Sequence, residues 1–331
     1  MASERLARFL SAKCLELSLA SAVAGLLTGW LAGHVVPILK SYVPIAVFLM
    51  VLQPMFALNL RGLKGRLSEK LRFLLVVTLL YTLVYPLTAW LYAYLSLPLL
   101  PETLKGLVAG AVLVALAPVA MPAPVFTAIA GGDVEASVLS VTWTFILSLI
   151  VIPTYSYLIL QTTINAPVGK IIQSLVMYIV TPLIVGQALR ATAERIAGTP
   201  LDLPASRLNR ILVIVSLTAL YYVIFVSFAA CEPLIAKHVF ATILLAASLF
   251  AYFGGRFAIS YLAGLLARLD RRTRIALVYA ATGNGAIGLA LSAPLGEAPL
   301  TGAAVAGPLV LVTMMAILAR ILAKTAESEK R

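Results

Sequence analysis

Residues Leu104–Ala130 read LKGLVAGAVLVALAPVAMPAPVFTAIA, an apolar stretch interrupted by prolines at positions 118, 122 and 124. It is long enough to cross a hydrocarbon layer of about 30 Å, which takes roughly 20 helical residues. Each proline removes a backbone donor and leaves a carbonyl group without its helical partner. A membrane helix tolerates such a break only where it is buried in protein or lines a water-filled cavity. The stretch therefore predicts a broken membrane-spanning helix.

A second apolar stretch, Ile275–Leu295, carries a comparable interruption at Gly283–Gly288, which reads GNGAIG. The centres of the two breaks lie about 164 residues apart, close to half of the 331-residue chain. Interrupted segments at matching positions of two halves are typical of the binding site of a secondary transporter. The alternative is that both are packing kinks, because proline and glycine are common in membrane helices.

The rest of the chain predicts an all-α polytopic membrane protein with about ten transmembrane helices. Hydrophobic residues make up 62% of it and charged residues 11%, whereas soluble domains average about 45–50% apolar and about 25% charged residues. A soluble globular protein is thereby excluded. The other eight predicted spans are Leu15–Val36, Tyr42–Leu60, Leu71–Leu97, Val134–Gln161, Val168–Leu189, Ile211–Ala229, Val239–Leu266 and Leu300–Leu322.

The distribution of basic residues predicts the orientation. Twenty of them fall in the segments on the side of the N-terminus, and four fall on the other side; with Arg256, inside a span, they make up the 25 lysines and arginines. Because cytoplasmic loops are enriched in Lys and Arg, we expect a multi-pass protein of the cell membrane with both termini in the cytoplasm. The same rule explains the net charge of +12 without a nucleic-acid partner.

Five spans in each half would make the two halves an inverted repeat, because an odd number of crossings reverses the orientation of the second copy. We expect a single transmembrane transporter domain over residues 1–331. Its first repeat would cover about residues 15–165 and its second about residues 166–323, with helices four and nine broken.

Four side chains are candidates for contact with a substrate. Thr282 and Asn284 lie at the second break, and Thr127 follows the first. Arg256 lies in the eighth span, 12 residues before Arg268 and thus roughly 18 Å along a helix from the span end. A charge at that depth is costly and indicates either a functional role or a structural arginine that binds backbone carbonyls.

Enzymatic chemistry has no support. The pattern GxGxxG at residues 283–288 lacks the preceding strand and the acidic residue of a dinucleotide site. No Cys, His and acid cluster has metal-ligand spacing, so no cofactor or metal is expected. Cys14 and Cys231 fall on opposite sides of the predicted membrane, which excludes a disulfide between them. Asp133 and Glu135 begin the fifth span, where acids stabilise a helix N-terminus.

Four stretches resemble the bile acid:sodium symporter superfamily, which includes the arsenite-efflux permeases. They are YPLTAWL (Tyr85–Leu91), AGGDVEAS (Ala130–Ser137), RIALVYAATGNGAIGLAL (Arg274–Leu291) and QPMFALNL (Gln53–Leu60), the last being closer to the arsenite branch. The resemblance implies a core of spans three to five and eight to ten, in which spans four and nine cross at their breaks. The other spans would form a panel, and substrate would bind between panel and core.

The resemblance also implies ion-binding residues, with sodium as the possible coupling ion. Ser137, Thr142 and Asn284 fall where the family's sodium ligands lie. The chain departs from the family elsewhere: the Ser–Asn pair of span four is Ala123–Pro124, the acidic ligand of span nine is Ala280 or Ala281, and the cysteine of the arsenite branch, near Val119, is missing.

We therefore expect a secondary transporter that moves a small organic anion by alternating access. The alternatives are an efflux permease for arsenite or a similar oxyanion and, from another class, a channel or a non-transporting membrane scaffold. The expected partners are membrane lipid and the anionic substrate. The oligomeric state does not follow from the sequence.

Overall fold

The computed structural model describes residues 5–7, 9–10, 13–58, 70–164, 168–199 and 206–328. Within these ranges the regular elements are all helical and no strand is present, so the predicted all-α class is confirmed. The predicted repeat boundary near residue 165 and the basic residues Arg61, Lys64 and Arg66 lie outside the described residues.

Sixteen α-helices are described, and we number them in chain order. They are α1 (Cys14–Ala32), α2 (Val36–Ser41), α3 (Val43–Ala57), α4 (Leu71–Leu79), α5 (Tyr85–Ser96), α6 (Lys105–Leu116), α7 (Ala123–Ile129), α8 (Val134–Ile164), α9 (Val168–Leu175), α10 (Thr181–Ala197), α11 (Arg207–Lys237), α12 (Val239–Leu266), α13 (Arg271–Tyr279), α14 (Gly285–Ser292), α15 (Glu297–Ala304) and α16 (Val312–Ser328).

Three pairs of these helices continue into each other through wide π-helical turns. The turns join α4 to α5, α9 to α10, and α15 to α16. A proline follows or lies inside each turn, and proline cannot donate to the carbonyl four residues before it. At Pro86 the freed carbonyl is that of Thr82, and the hydroxyl of Tyr155 donates to it at 2.7 Å. The π turns therefore mark prolines that are accommodated without breaking the span.

Seven helices of the described chain are long and apolar enough to cross a membrane. They are Glu16–Ser41, Leu71–Leu99, Val134–Leu160, Ile172–Ala197, Arg207–Lys237, Val239–Leu266 and Glu297–Lys324. Large apolar side chains such as Trp30, Phe240 and Leu266 are exposed on their surfaces. An apolar exterior of this kind suits a lipid environment, so the structure supports a multi-pass membrane protein.

The other three predicted spans differ from a single long helix. The segment predicted over Tyr42–Leu60 contains α3, which is only 15 residues long. The segments predicted over Leu104–Ala130 and Ile275–Leu295 are each divided, into α6 and α7 and into α13 and α14. Both divisions fall at the predicted interruptions, because the prolines and glycines there end one helix before the next begins.

Helix packing separates two groups. Helix α11 packs on α1 and α3, and α10 packs on α3; we call α1–α3 and α9–α11 the panel. Helix α6 packs on α14 and α15, and α8 packs on α6, α7 and α13; we call α4–α8 and α12–α16 the core. The two groups meet where α15 packs on α11 and α14 packs on α3. The two breaks both lie in the core, on elements that pack together.

Polar N-caps fix where several core and panel helices begin. The side chain of Asp270 accepts from the amide of Thr273 at the start of α13, and Ser206 accepts from Asn209 at the start of α11. Asp133 accepts from the amide of Ala136 at 3.0 Å at the start of α8. Each cap satisfies an amide that has no partner inside its helix. The predicted capping role of Asp133 is thus confirmed.

Candidate functional site

The two breaks of the core touch each other. Residues 117–122 separate α6 from α7, and residues 280–284 separate α13 from α14. The amide of Ala120, in the first break, donates to Thr282 Oγ1, in the second, at 3.2 Å. A Cβ atom placed on Gly283 would lie 1.9 Å from the carbonyl oxygen of Val114, a distance that no side chain tolerates. The glycine therefore allows the two backbones to meet, and we call this place the crossing.

The amides that the first break frees are bound by side-chain hydroxyls. Val119 donates to Thr144 Oγ1 of α8 at 3.1 Å, and Ala120 donates to Thr282 as described. In an unbroken helix these two amides would reach the carbonyls of Ala115 and Leu116, four residues earlier. Because the two amides donate to side chains instead, the carbonyls of Ala115 and Leu116 need other donors.

The two freed carbonyls are taken by buried side chains of neighbouring helices. Arg256 of α12 donates from Nη1 to the carbonyl oxygen of Ala115 at 2.9 Å. Tyr81, in the π turn before α5, donates from its hydroxyl to the carbonyl oxygen of Leu116 at 2.9 Å. The carboxyl end of α6, where the helix dipole is negative, thus receives one full positive charge and one neutral donor.

Arg256 is nearly inaccessible, with 1% of its surface exposed. Its guanidinium carbon lies 4.2 Å from the centre of the Tyr85 ring, and the rings of Tyr252 and Phe253 are 5.8 Å away. No carboxylate of the described residues forms an ion pair with it. The charge is therefore compensated by aromatic faces and one backbone carbonyl, whereas its Nε is buried and has no hydrogen-bond partner among the described residues.

Asn284 ends the second break and caps α14. Its Oδ1 accepts from the amide of Ile287 at 3.2 Å, and the side chain is almost fully buried. Thr282, one turn after Tyr279, donates to that residue's carbonyl at 2.7 Å while it accepts from Ala120. The structure therefore places both predicted residues at the crossing, each with its oxygen bound to backbone.

Thr127 and Ser137 form a hydroxyl pair beyond the first break. Thr127 Oγ1 donates to the carbonyl oxygen of Ala123 at 2.8 Å and lies 3.1 Å from Ser137 Oγ. Thr142 is placed differently, because its hydroxyl donates to Val138 one turn earlier on α8, at 3.2 Å. The residue of α8 that reaches the break is Thr144.

Four further residues lie at the crossing although the sequence did not predict them as site residues: Tyr81, Tyr85, Thr144 and Ser260. Tyr85 and Ser260 share a hydrogen bond of 2.7 Å between their hydroxyls. Helical spacing was the available signal, because Tyr81 and Tyr85 are four residues apart and so are Arg256 and Ser260. Residues at that spacing share a helix face.

The acidic groups of the described residues lie away from the crossing, whose titratable side chains are Arg256 and the tyrosines already named. No group of three or more His, Cys, Asp or Glu residues in the described ranges could hold a metal ion. Asp133 pairs with Lys70 at 2.6 Å, at the end of the core that holds the start of α8. Burial by itself raises the pKa of Asp133, but hydrogen bonds from Lys70 and the Ala136 amide outweigh it and hold the pKa below its ordinary value. The same pair raises the pKa of Lys70.

A cleft of about 250 Å³ opens between panel and core at the opposite end. Lys40 and Glu297, which form an ion pair across it, are both about half exposed. Helix α14 leads from Asn284 at the crossing to Ala293 and Pro294 in the cleft wall. The remaining lining residues are Val43, Pro44, Tyr178, Val226, Ala230, Gly296 and Leu300.

Comparison with known proteins identifies the family of this chain. The model of the sodium bile acid symporter family matches residues 44–238, which run from α3 to the end of α11 and include the first break. The match ends before Arg256 and the second break. No curated protein matches the chain. Since the matched residues cover more than half of it, the chain belongs to the sodium bile acid symporter family.

Proposed function

We propose that the protein is a secondary transporter that moves a small organic anion across the cell membrane by alternating access. Members of its family are transporters and not enzymes, and its long apolar helices suit a membrane protein. The observation that carries the proposal is the contact between the two broken helices at Ala120 and Thr282. Broken helices whose ends meet inside a bundle supply backbone groups for substrate and ions, which an inert scaffold does not need.

The proposed architecture is ten spans in two inverted repeats within a single domain, with both termini in the cytoplasm. Helix α3 and the two divided helices would complete the seven long ones. In support, each half of the described chain contains a divided helix followed by a long one: α6 and α7 before α8, and α13 and α14 before the α15–α16 helix.

The proposed substrate path joins the crossing to the cleft between panel and core. Asn284, Thr282 and Thr127 are its proposed contact residues, with Arg256 as the positive charge nearby. An anion suits this path because the amino-terminal end of α14 carries a positive dipole. The charge of Lys40 in the cleft wall is balanced by its ion pair with Glu297.

An arsenite permease has weaker support. Arsenite binds thiolates, and the soft thiolate is the ligand that such chemistry requires. Both cysteines are free, but Cys14 lies on α1 and Cys231 on α11, in the panel. A channel is opposed by the close contact of the two breaks, because a Cβ on Gly283 would already collide with Val114.

Uptake of labelled organic anions into proteoliposomes tests the proposal. Asn284→Asp keeps an oxygen that can cap α14, so the protein should fold, but the added negative charge should repel an anion. Thr282→Val removes the acceptor for Ala120. We expect both to reduce uptake at least about tenfold, equal to about 1.4 kcal/mol.

The control is Thr192→Val, because Thr192 is exposed on α10 and bonds only within its own helix. Its uptake should match the wild type. Normal uptake by Asn284→Asp would place the substrate elsewhere, and the absence of saturable uptake of any anion by the wild type would contradict carrier function.

A further inference from the structure

The name of the family implies that sodium is bound. Whether this chain can bind that ion depends first on the oxygen atoms available at the crossing. A cation of this kind takes several oxygen ligands and is held best where carboxylates are among them. None of the described residues places a carboxylate at the crossing. Thr282 and Thr144 each accept from an amide of the first break, and Asn284 accepts from Ile287. The hydroxyl of Ser137 is paired with that of Thr127, and Thr142 donates to Val138 of its own helix. These oxygen atoms are all neutral and engaged in hydrogen bonds within the protein, so the set does not fit sodium.

A positive charge is nevertheless present at the crossing. Arg256 reaches the carbonyl of Ala115, in the last turn of α6, where the helix dipole concentrates about half a negative charge. The break frees this carbonyl because Val119 donates to Thr144 instead. The negative end of a broken membrane helix, with its unwound carbonyls, is the place where secondary transporters hold a coupling cation.

The surroundings hold the guanidinium in place. The ring of Tyr85 covers one of its faces at 4.2 Å. Tyr85 is itself fixed by the hydroxyl of Ser260, which donates to the backbone carbonyl of Arg256 at 2.8 Å. Tyr85 and Ser260 thus connect the guanidinium to the backbone of its own helix, and Arg256, unlike an ion, cannot be released from the site.

We infer that Arg256 is a resident cation of the crossing, which neutralises the carbonyl end of α6 permanently and makes the protein independent of sodium. A guanidinium does at this position what a bound cation would do, but it is neither taken up nor released. The inference rests on the proposed function for its consequence in transport. Its structural part, the absence of a sodium requirement in the folded protein, can be tested without any substrate.

Thermal unfolding of the purified full chain in detergent is the first measurement. It compares sodium chloride with choline chloride at equal ionic strength. The wild type should unfold at the same temperature in both salts, because Arg256 already satisfies the carbonyl end of α6. A saturable rise of the wild-type Tm with sodium would overturn the inference, whatever the variants do.

The second measurement uses Arg256→Gln, which removes the charge and leaves an amide donor. Its Tm in choline should be lower than that of the wild type. Sodium or lithium should raise it saturably, by roughly 2–4 °C, as a cation occupies the exposed carbonyls. A folded Arg256→Gln protein whose Tm does not respond to any cation would contradict the inference.

Arg256→Lys keeps a positive charge. It provides a second test if the Arg256→Gln protein does not fold. It should show no sodium response, and a lysine variant that gains one would also contradict the inference. The matched control is Arg195→Gln, because Arg195 is exposed near the end of α10. This control should unfold as the wild type does in both salts.

Transport separates this inference from the proposed function. If the protein carries an anion, wild-type uptake should be equal with sodium and with choline outside. Uptake that requires sodium would overturn the resident cation and leave carrier function intact. If no anion is transported at all, carrier function fails, and the unfolding measurements still decide whether Arg256 replaces a cation.

Discussion

Single hydroxyl groups complete the broken helices in this protein. Ser137, Ser140, Thr144 and Ser148 of α8 are all fully buried and, at spacings of three and four residues, form one face of the helix. Thr144 donates to the carbonyl of Ser140 and still accepts from Val119. Because a hydroxyl both donates and accepts, it can satisfy a broken helix without introducing a charge.

Asp133 leads to a prediction about acid stability. Its pKa is lowered in the folded state, so its stabilising effect is fully present above the ordinary aspartate pKa of about 3.9. That effect is lost as the pH falls through the lower folded-state value. Asp133→Asn should keep the cap on α8 but flatten the loss of Tm with acid. Asp133→Ala should also lose the cap, worth about 1 kcal/mol.

The measurement is Tm between about pH 3 and pH 7. Glu102→Gln is the control. Glu102 also pairs with a lysine, Lys105, but its side chain is 85% exposed, and such surface pairs contribute little to stability, so the acid slope should stay unchanged. An acid slope in Asp133→Asn as steep as in the wild type would show that the pair with Lys70 does not contribute.

At the scale of elements, the two helices that meet at the crossing are divided by different residue types, which have different effects. Prolines divide α6 from α7 and free carbonyls, which Arg256 and Tyr81 then bind. Glycines divide α13 from α14 and remove side chains, so that another backbone can approach. Gly285 shows the same feature, since its Cβ would lie 2.9 Å from the Cα atom of Gly307. One break supplies polar groups, and the other supplies space.

Gly283→Ala should therefore destabilise the crossing strongly. The new Cβ would lie 1.9 Å from the carbonyl oxygen of Val114, which is backbone and cannot rotate away. We expect a lower Tm and a smaller yield of monodisperse protein in detergent. The matched control is Gly255→Ala on α12, where a Cβ meets no atom within 4 Å and alanine favours the helix. Equal Tm values for the two variants would refute the close approach of the breaks.

At the scale of the molecule, charged residues that the order of the ten predicted spans places on the same side of the membrane meet at one end of the structure. Lys40 pairs with Glu297, both assigned to the outer side. Lys70 pairs with Asp133, and the amide of Asp133 donates to the carbonyl of Arg272, all three assigned to the cytoplasmic side. Ion pairs do not form across a hydrocarbon layer, so these contacts agree with the predicted grouping of the loops into two sides, whichever side is cytoplasmic.

Thiol labelling in intact cells tests this orientation. In a background with Cys14 and Cys231 replaced by serine, a cysteine at Glu102 should react with a membrane-impermeant reagent. A cysteine at Arg272 should react only after the membrane is permeabilised. Both positions are exposed in the structure, so access to the reagent depends on the side of the membrane. Labelling at Arg272 from outside would reverse the proposed topology.

The sequence by itself determined the helical class, most of the spans and the positions of both breaks. Composition excludes a soluble fold whatever the packing, because so much apolar surface can be covered only by lipid. Pro118 follows the end of α6, Pro122 and Pro124 lie at the start of α7, and the cap at Asp133 is also local. Features that depend on neighbouring residues along the chain can be predicted from the chain alone.

Only the tertiary structure decided which groups satisfy the breaks. Residues far apart in sequence meet there: Arg256 binds Ala115, and Thr282 binds Ala120. The family resemblance implied Thr142 as an ion-binding residue, and that role stays a prediction. The hydroxyl of α8 that reaches the break is that of Thr144, because helix rotation and packing set which hydroxyl faces inward. The sequence left open whether the role of Arg256 is functional or structural. Its carbonyl partner on α6 is what assigns its charge to the end of a broken helix, where the dipole is negative.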